Sequence, residues 1–307
     1  MPQFKRRSID HYLVSAVDKL RDKKGITMIL GSHVSIRDGY LAAAKRAVAN
    51  MATAFQYFPK NPRSLSIKIF DKEDAENCKK FCREHGIISV AHTPYSTSLT
   101  PDDNNLKQTV SSLLNDLEIA NSCGSLGVVV HYGNQISKSD PLASYHLMLH
   151  VLNEVLHQWD GKAKILLENN AGTKGGLGTT LEELVQIRNL SQYPEKIGFC
   201  FDTCHAFASR LWDGENTKEL IVKGKELDYW SQLKVIHLNN SKHPTGSRRD
   251  RHANILNSGH ISEQAFESLI LSPTIKDIPL ILETPDDEGV THDKEIQLLL
   301  QRWSEFG

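Results

Sequence analysis

The sequence predicts an α/β chain folded as a single (β/α)8 barrel with an extra N-terminal helix. Three observations lead there. From residue 27 onward, short β-rich runs alternate with amphipathic segments, eight of each. The β-rich runs are nearly continuous in apolar residues, as parallel strands covered on both faces require. Ionisable residues stand at or just beyond the ends of most of these runs. Side chains scattered that far along a chain meet only if the fold gathers its strand ends, and a closed parallel barrel does so on one face.

The strand candidates, in order, are TMILGSHV (27–34), ATAFQYF (52–58), GIISVAH (86–92), LGVVVHY (126–132), AKILLEN (163–169), KIGFCFD (196–202), LKVIHLN (233–239) and IPLILET (278–284). Helical segments fall between and after them, at about 39–51, 71–85, 103–123, 140–159, 179–191, 216–231, 261–271 and 291–305. Thr179 and Thr180 precede Leu181, with Glu182 and Glu183 in the first turn, which reads as a capped helix start. Gly86 and Gly124 suit helix stops. A doubly wound open sheet is the alternative, disfavoured by the eight units and by the lack of a Gly-rich dinucleotide turn after the first strand. Residues 27–307 therefore read as one catalytic domain. Residues 1–26 read as a helical extension, with Ile9, Tyr12, Leu13, Ala16, Val17 and Leu20 as an apolar stripe. Lys5, Arg6 and Arg7 read as a solvated charge cluster, with a DNA contact or an address as the alternative.

With 307 residues, 24% of them charged and 39% hydrophobic, the chain has the composition of a soluble globular protein. Its net charge of -1 excludes global basicity, so a polyanion must be held by a local patch or by metals. No apolar stretch approaches a membrane span and no secretory signal is read. The five cysteines, an odd number, argue against a disulfide framework and for a reducing compartment. The expectation is an intracellular protein, cytoplasmic, or nuclear in a eukaryotic source. Cys78 and Cys82, one helical turn apart, read as buried thiols, and Cys200 and Cys204 as packing.

The chemistry lies in nine residues: His92, His131, Glu168, Asp202, His205, His237, Asp250, His252 and Glu283. Each alone is more often structural. Together they exceed the needs of one tetrahedral zinc and point to two or three metals performing hydrolysis. In FDTCHAF, Asp202 and His205 sit three apart, so one strand-to-loop turn can feed two neighbouring metals. In RRDRHAN, Asp250 and His252 point the same way if the segment is extended. Arg248, Arg249 and Arg251 flank them and suit phosphate, against the alternative of a solvated basic loop. The loop FPKNPRSL (58–65) places Lys60, Asn61 and Arg63 on the catalytic face, either as a surface turn or as a DNA contact. Tyr57 and Tyr95 either pack or wedge against bases.

These residues lie in blocks that resemble, in order, those of the endonuclease IV family: GSHVS (31–35), QYFPKNPRS (56–64), AHTPY (91–95), VVHYGN (129–134), LLENNAG (166–172), CFDTCHAF (200–207), VIHLNNSK (235–242), GSRRDRH (246–252) and PLILET (279–284). The resemblance implies a TIM barrel with three Zn2+ ions at its C-terminal face, acting on double-stranded DNA that contains abasic sites. It implies a first zinc on His92, His131 and Glu168, and a second on Glu168, Asp202, His237 and Glu283. His205, Asp250 and His252 would hold the third. The implied reaction is hydrolysis of the phosphodiester 5′ to the abasic site by a metal-bridging hydroxide, leaving a 3′-hydroxyl and a 5′-deoxyribose phosphate. Glu168, Glu283, His131 and Asp202 would carry it, in a monomer. Arg63 and Tyr95 would enter the duplex, supported by Lys60, Asn61, Arg248 and Arg251. Three departures from the family pattern stand out: Ser96 after Tyr95, Asn240 where the family has Asp, and the loop NILNSGHIS (254–262) with fewer glycines. The rivals are a metal-dependent sugar isomerase or epimerase on the same barrel, and a binder of damaged DNA that has lost catalysis.

Overall fold

The computed structural model describes residues 28–140, 142–173, 175–256, 258–286 and 289–303. The expected helix over 1–26 lies outside the described residues. Each strand candidate contains one barrel strand: β1 (Leu30–His33), β2 (Ala54–Tyr57), β3 (Ile88–His92), β4 (Gly127–His131), β5 (Lys164–Glu168), β6 (Ile197–Asp202), β7 (Leu233–His237) and β10 (Leu280–Leu282). They close into a parallel barrel in the order β1-β10-β7-β6-β5-β4-β3-β2. Between β7 and β10 lies a two-stranded antiparallel ribbon, β8 (Asn240–Ser241) with β9 (His252–Ala253), which the sequence reading did not anticipate.

The helices follow the predicted segments with two differences. The segment 216–231 is broken into Thr217–Glu226 and Tyr229–Gln232, because Asp228 takes a left-handed φ of 55°. A short helix, Thr203–Ser209, starts directly at the end of β6, where Asp202 accepts a hydrogen bond from the His205 N–H. The capping box at 180 forms as expected: Thr180 Oγ1 accepts from the Glu183 N–H, and the Glu183 carboxylate accepts from Thr180 Oγ1 and the Thr179 N–H. Gly86 closes the helix Lys72–His85 in the left-handed conformation. Among the described residues, no helix is long and apolar enough to cross a membrane.

Strand parity places the site. The barrel interior is filled by Ala54, Val90, Val129, Leu166, Cys200, Val235 and Ile281, all buried. At β1 the corresponding position is Gly31, where a Cβ would lie 1.7 Å from the Ala54 carbonyl oxygen. Side chains two residues further along a strand point to the same side. One step up from this layer therefore come His33, Gln56, His92, His131, Glu168, Asp202, His237 and Glu283, one from each strand or its end. Below them the interior is dry and packed, so these polar groups form the floor of the catalytic face rather than a channel. The larger apolar layer, with Leu113, Val151, Leu184 and Leu299, lies between strands and helices.

Candidate metal centre

Glu168 is the hub. Its carboxylate is 1% exposed and its two oxygens face different neighbours. Oε2 lies 3.2 Å from His131 Nε2 and 3.6 Å from His92 Nε2. Oε1 lies 2.8 Å from His237 Nδ1, which in turn lies 3.2 Å from Glu283 Oε2 and 3.9 Å from Asp202 Oδ2. Further round, Asp250 sits between two rings, 3.2 Å from His205 Nε2 and 3.2 Å from His252 Nε2. The donor atoms of His92, His131 and Glu168 converge, as do those of Glu168, Asp202, His237 and Glu283. Asp202, His205 and His252 form a third converging group, and Asp250 converges with His252 and Cys204. The structure thus brings all nine sequence-predicted residues into one cluster.

The hydrogen bonds of the outer ring nitrogens turn the opposite nitrogens inward, toward the carboxylates. Nδ1 of His92, His205 and His252 faces the backbone carbonyls of Thr93 (2.8 Å), Asn169 (3.0 Å) and Glu283 (3.2 Å), which turns each Nε2 toward the cluster. His237 is reversed: its Nε2 donates to Gln56 Oε1 at 2.7 Å, so Nδ1 faces the carboxylates. Such outer bonds fix the tautomer that a metal requires. Glu168 Oε2 and His252 Nε2 are buried and make no well-aligned hydrogen bond, although His131 Nε2 and Asp250 Oδ1 each lie 3.2 Å from one of them. Buried polar atoms are rarely left so, and a cation would satisfy both. The donor set is oxygen and nitrogen. Burial pushes the Cys200 and Cys204 thiols up to about 12, which keeps them neutral and poor as ligands.

Three of the four carboxyls are held down and one is pushed up. Burial works against the ionised form of Glu283, but His237 and His92 outweigh it and hold the carboxyl at about 2. Glu168 is held well below the carboxylate range against the same burial, by His237 and His131. Burial also opposes the charge on Asp250, and His205 and His252 bring it well down. Asp202 moves up, because burial there exceeds the pull of His205 and His252. For His252 burial is overcome, first by Asp250 and then by Asp202, and its pKa rises to about 9. Buried carboxylates in this number call for cations beside them. His205, His237 and His252 supply that charge by protonation, whereas burial lowers His131 to about 4, and divalent ions would supply the charge while leaving the rings neutral.

Four residues beside the cluster have no role assigned by the sequence reading. Gln56 joins His237 to Glu283, donating from Nε2 to Glu283 Oε1 at 2.6 Å. Asn239 donates from Nδ2 to Asp202 Oδ2 (2.7 Å) and accepts from the Glu283 N–H (2.9 Å). Asn169 pairs with the Asp202 backbone through both its side-chain atoms. His33, at the end of β1, packs against Phe58 with ring centroids 4.4 Å apart and the planes tilted by 51°, and faces Gln56. Each of the four lies at or beside a strand end, and that position was the available signal.

The rim divides the remaining predicted residues. Arg63 and Asn61 are exposed, and Asn61 Oδ1 accepts from the Arg63 N–H. Tyr95 is 66% exposed, with its ring edge-on to Phe58 and its N–H donating to the Pro62 carbonyl. Arg248, Arg249 and Arg251 are exposed around Asp250, beside a pocket that they share with Thr173 and His243. A second pocket opens over the cluster between Tyr95, Asn134, His131 and His205. One expectation is corrected, and Tyr57 takes the packing alternative. Lys60 does not face DNA: its ammonium is buried against Asp116 Oδ1 at 3.0 Å and Ser112. Tyr57 is 1% exposed and hydrogen-bonds Ser125, so it belongs to the core.

The departures also acquire a physical account. Asn240 is buried and uses its whole amide. Nδ2 donates to the Ile255 and Ile261 carbonyls, each at 3.0 Å, and Oδ1 accepts from the Ser241 (2.8 Å) and Ile261 (2.9 Å) N–H groups. The loop 254–262 is thereby tied at both ends. Glu295 adds a tie by accepting from the Ile255 N–H and Asn254 Nδ2. Gly259 packs onto this amide so closely that a Cβ there would lie 2.2 Å from Asn240 Oδ1. Ser96 is exposed beside Tyr95, and nothing in the structure explains its choice.

Residues 44–304 match the family described as xylose isomerase-like TIM barrel. A protein of Symbiobacterium thermophilum named probable endonuclease 4 is 39% identical over 270 residues, covering 88% of this chain and 97% of that one. Endonuclease IV from Thermus thermophilus superposes with a TM-score of 0.80 at 29% identity, over 91% of this chain and 99% of that one. A D-tagatose 3-epimerase-like protein superposes with a TM-score of 0.65 at 19% identity, over 90% and 97%, and shares the barrel alone. Extending over nearly the full length of both proteins, the first two likenesses place this chain in the endonuclease IV family of xylose isomerase-like TIM barrels.

Proposed function

We propose that the chain is a zinc-dependent AP endonuclease of base-excision repair. It hydrolyses the phosphodiester 5′ to an abasic site in double-stranded DNA and leaves a 3′-hydroxyl and a 5′-deoxyribose phosphate. The observation that carries this reading is the position of Glu168, whose two buried oxygens face separate groups of imidazoles. A carboxylate so placed serves two ions at once. Sugar isomerases and epimerases of this barrel need fewer donors and have no use for the Arg-flanked Asp250–His252 segment.

The residues fit three zinc ions. His92 and His131 with Glu168 would hold one, Asp202, His237 and Glu283 with Glu168 a second, and His205, Asp250 and His252 a third. Bound there, zinc supplies Lewis acidity toward phosphoryl oxygens and a source of nucleophile at neutral pH. The chain's own groups do the rest. Gln56 and Asn239 orient His237, Asp202 and Glu283. Arg248 and Arg251 present guanidinium groups to the backbone phosphates beside Asp250. Asn61, Arg63 and Tyr95 project from the rim to fill the gap in the duplex where no base stacks, which makes extrusion of the abasic sugar cheap. All nine proposed ligands come from one chain, so the reading needs no second subunit and takes the protein as a monomer acting on DNA inside the cell.

The test is incision of a duplex carrying one abasic site, before and after metal stripping and after zinc return. A single cut 5′ to the site, lost on stripping and restored by zinc, is expected. Failure of the metal-loaded protein to cut would turn the reading to a silent binder if it still captures the duplex. With neither cutting nor capture, the sugar-isomerase barrel becomes the better account.

A further inference from the structure

The loop after β2 carries Asn61 and Arg63 to the rim, yet it is fixed from beneath by buried and half-buried groups. The Pro59 carbonyl accepts from Tyr40 Oη (2.9 Å) and Lys68 Nζ (3.3 Å). The Pro62 carbonyl accepts from the Tyr95 N–H (2.8 Å), which links the loop to the second rim residue. Between these ties Lys60 turns inward. Its Nζ donates to the Ser112 carbonyl and to Ser112 Oγ, both at 2.8 Å, and lies 3.0 Å from Asp116 Oδ1. The side chains of Lys60 and Asp116 are 2% and 0% exposed. Ser112 and Asp116 belong to the helix Leu106–Ser122, on the outer layer of the barrel.

A buried ion pair is a poor way to gain stability, because two apolar side chains of similar size often do as well. Its distinctive property is directional. An ammonium has three donors, and here the Ser112 carbonyl and Oγ take two of them while the ammonium also faces Asp116 Oδ1 at 3.0 Å, all on one turn of the same helix. That fixes the lysine tip, and with it the backbone at residue 60, more sharply than apolar packing would. We infer that the Lys60–Asp116 pair, completed by Ser112, is a positioning element. It clamps the loop 58–65 to the outer helix layer, so that Arg63 and Tyr95 meet the duplex already in register. The pair touches neither DNA nor metal. This inference rests on the AP endonuclease reading.

The variants are Lys60→Met, which strands Asp116, and Lys60→Met/Asp116→Leu, which strands nothing. Ser112→Ala removes one partner without leaving a charge unpaired, and keeps the test open should both others fail to fold. Three readouts are needed: zinc content, kcat and KM on the abasic duplex, and amide hydrogen exchange. Zinc content should equal that of the wild type. KM should rise by about tenfold or more, as expected when positioning groups shift by about 1 Å, while kcat at saturation falls less. Exchange at residues 61–64 should quicken with the strand amides unchanged. A folded double variant with KM within twofold and unchanged loop exchange would overturn the inference alone. A zinc-loaded wild type that cuts no abasic duplex would overturn it together with the functional reading.

Discussion

Asn240→Asp restores the residue type expected from the family resemblance, and the structure says it should do harm. The side-chain amide donates to two carbonyls and accepts from two N–H groups, all buried. A carboxylate keeps the acceptor but loses both donors, and turns an oxygen toward the carbonyls of Ile255 and Ile261. Each buried polar group left unmatched costs about 1–3 kcal/mol. Protonating the new carboxyl recovers one donor, so the net cost is about 2–4 kcal/mol, or a fall in Tm of roughly 3–6 °C for a chain of this length. Burial and the facing carbonyls raise the folded-state pKa above the unfolded value of about 3.9. The folded variant then holds a proton that the unfolded chain has released, so its stability falls as pH climbs from about 4. The assay is thermal unfolding of wild type and variant at pH 5 and pH 8, with zinc content measured on the same samples. The deficit should be larger at pH 8. The effect should reach the metal centre too, because Ser241 pairs with His252 in the ribbon. Equal Tm values at both pH values would refute the account of Asn240 as the clamp on this loop.

The remaining predictions concern the hub, its supports and the rim. Glu168→Gln keeps the shape but loses the charge, and should lower incision by about a thousandfold or more and reduce the zinc content. A variant with full zinc and near-normal incision would show that Glu168 is not shared between ions. Gln56→Leu leaves His237 and Glu283 in place but frees their orientation. Zinc affinity, measured by competition with a chromogenic chelator, should weaken by about 10–100-fold, and unchanged affinity would reduce Gln56 to packing. Arg63→Ala should weaken capture of abasic duplex with zinc content unchanged, and loss of zinc instead would contradict the exposed position of that loop.

Why the barrel was legible, and parts of the site were not, follows from where each signal resides. Period-two side-chain alternation is local. Val90 and His92, Leu166 and Glu168, Cys200 and Asp202, Val235 and His237 are each separated by two residues, so a strand that buries the first must raise the second above the core on the same side. Eight apolar runs of near-equal length then bring those raised positions together. Six of the nine proposed ligands are therefore readable from strand ends alone, while His205, Asp250 and His252 lie beyond the barrel strands. His33 and Gln56 occupy the same register in β1 and β2 and could have been found by the same counting. They were passed over because counting looked for carboxylates and for imidazoles from β3 onward, and a glutamine reveals its role only through its partners. Those partners, His237 and Glu283, are 181 and 227 residues away.

Other misses have different causes. The ribbon β8–β9 has two residues in each strand, too few for any periodicity to register. The helix Thr203–Ser209 was hidden because Asp202 was counted as a ligand, while its carboxylate also caps the helix through the His205 N–H. Both roles are compatible: the cap uses Oδ1, and Oδ2 faces His237 and His252. Lys60 was misread for the converse reason. A lysine between proline and asparagine has the local character of a solvated turn, and only Asp116, on a helix more than fifty residues later, makes its burial tolerable. Local pattern thus predicts which side of a strand a residue occupies, and long-range pairing decides whether a charge beyond the strand faces solvent or core. The same division separates the residues proposed to bind metal, which strand parity lifts to one floor, from those proposed to meet DNA. The latter lie on loops whose course depends on what anchors them.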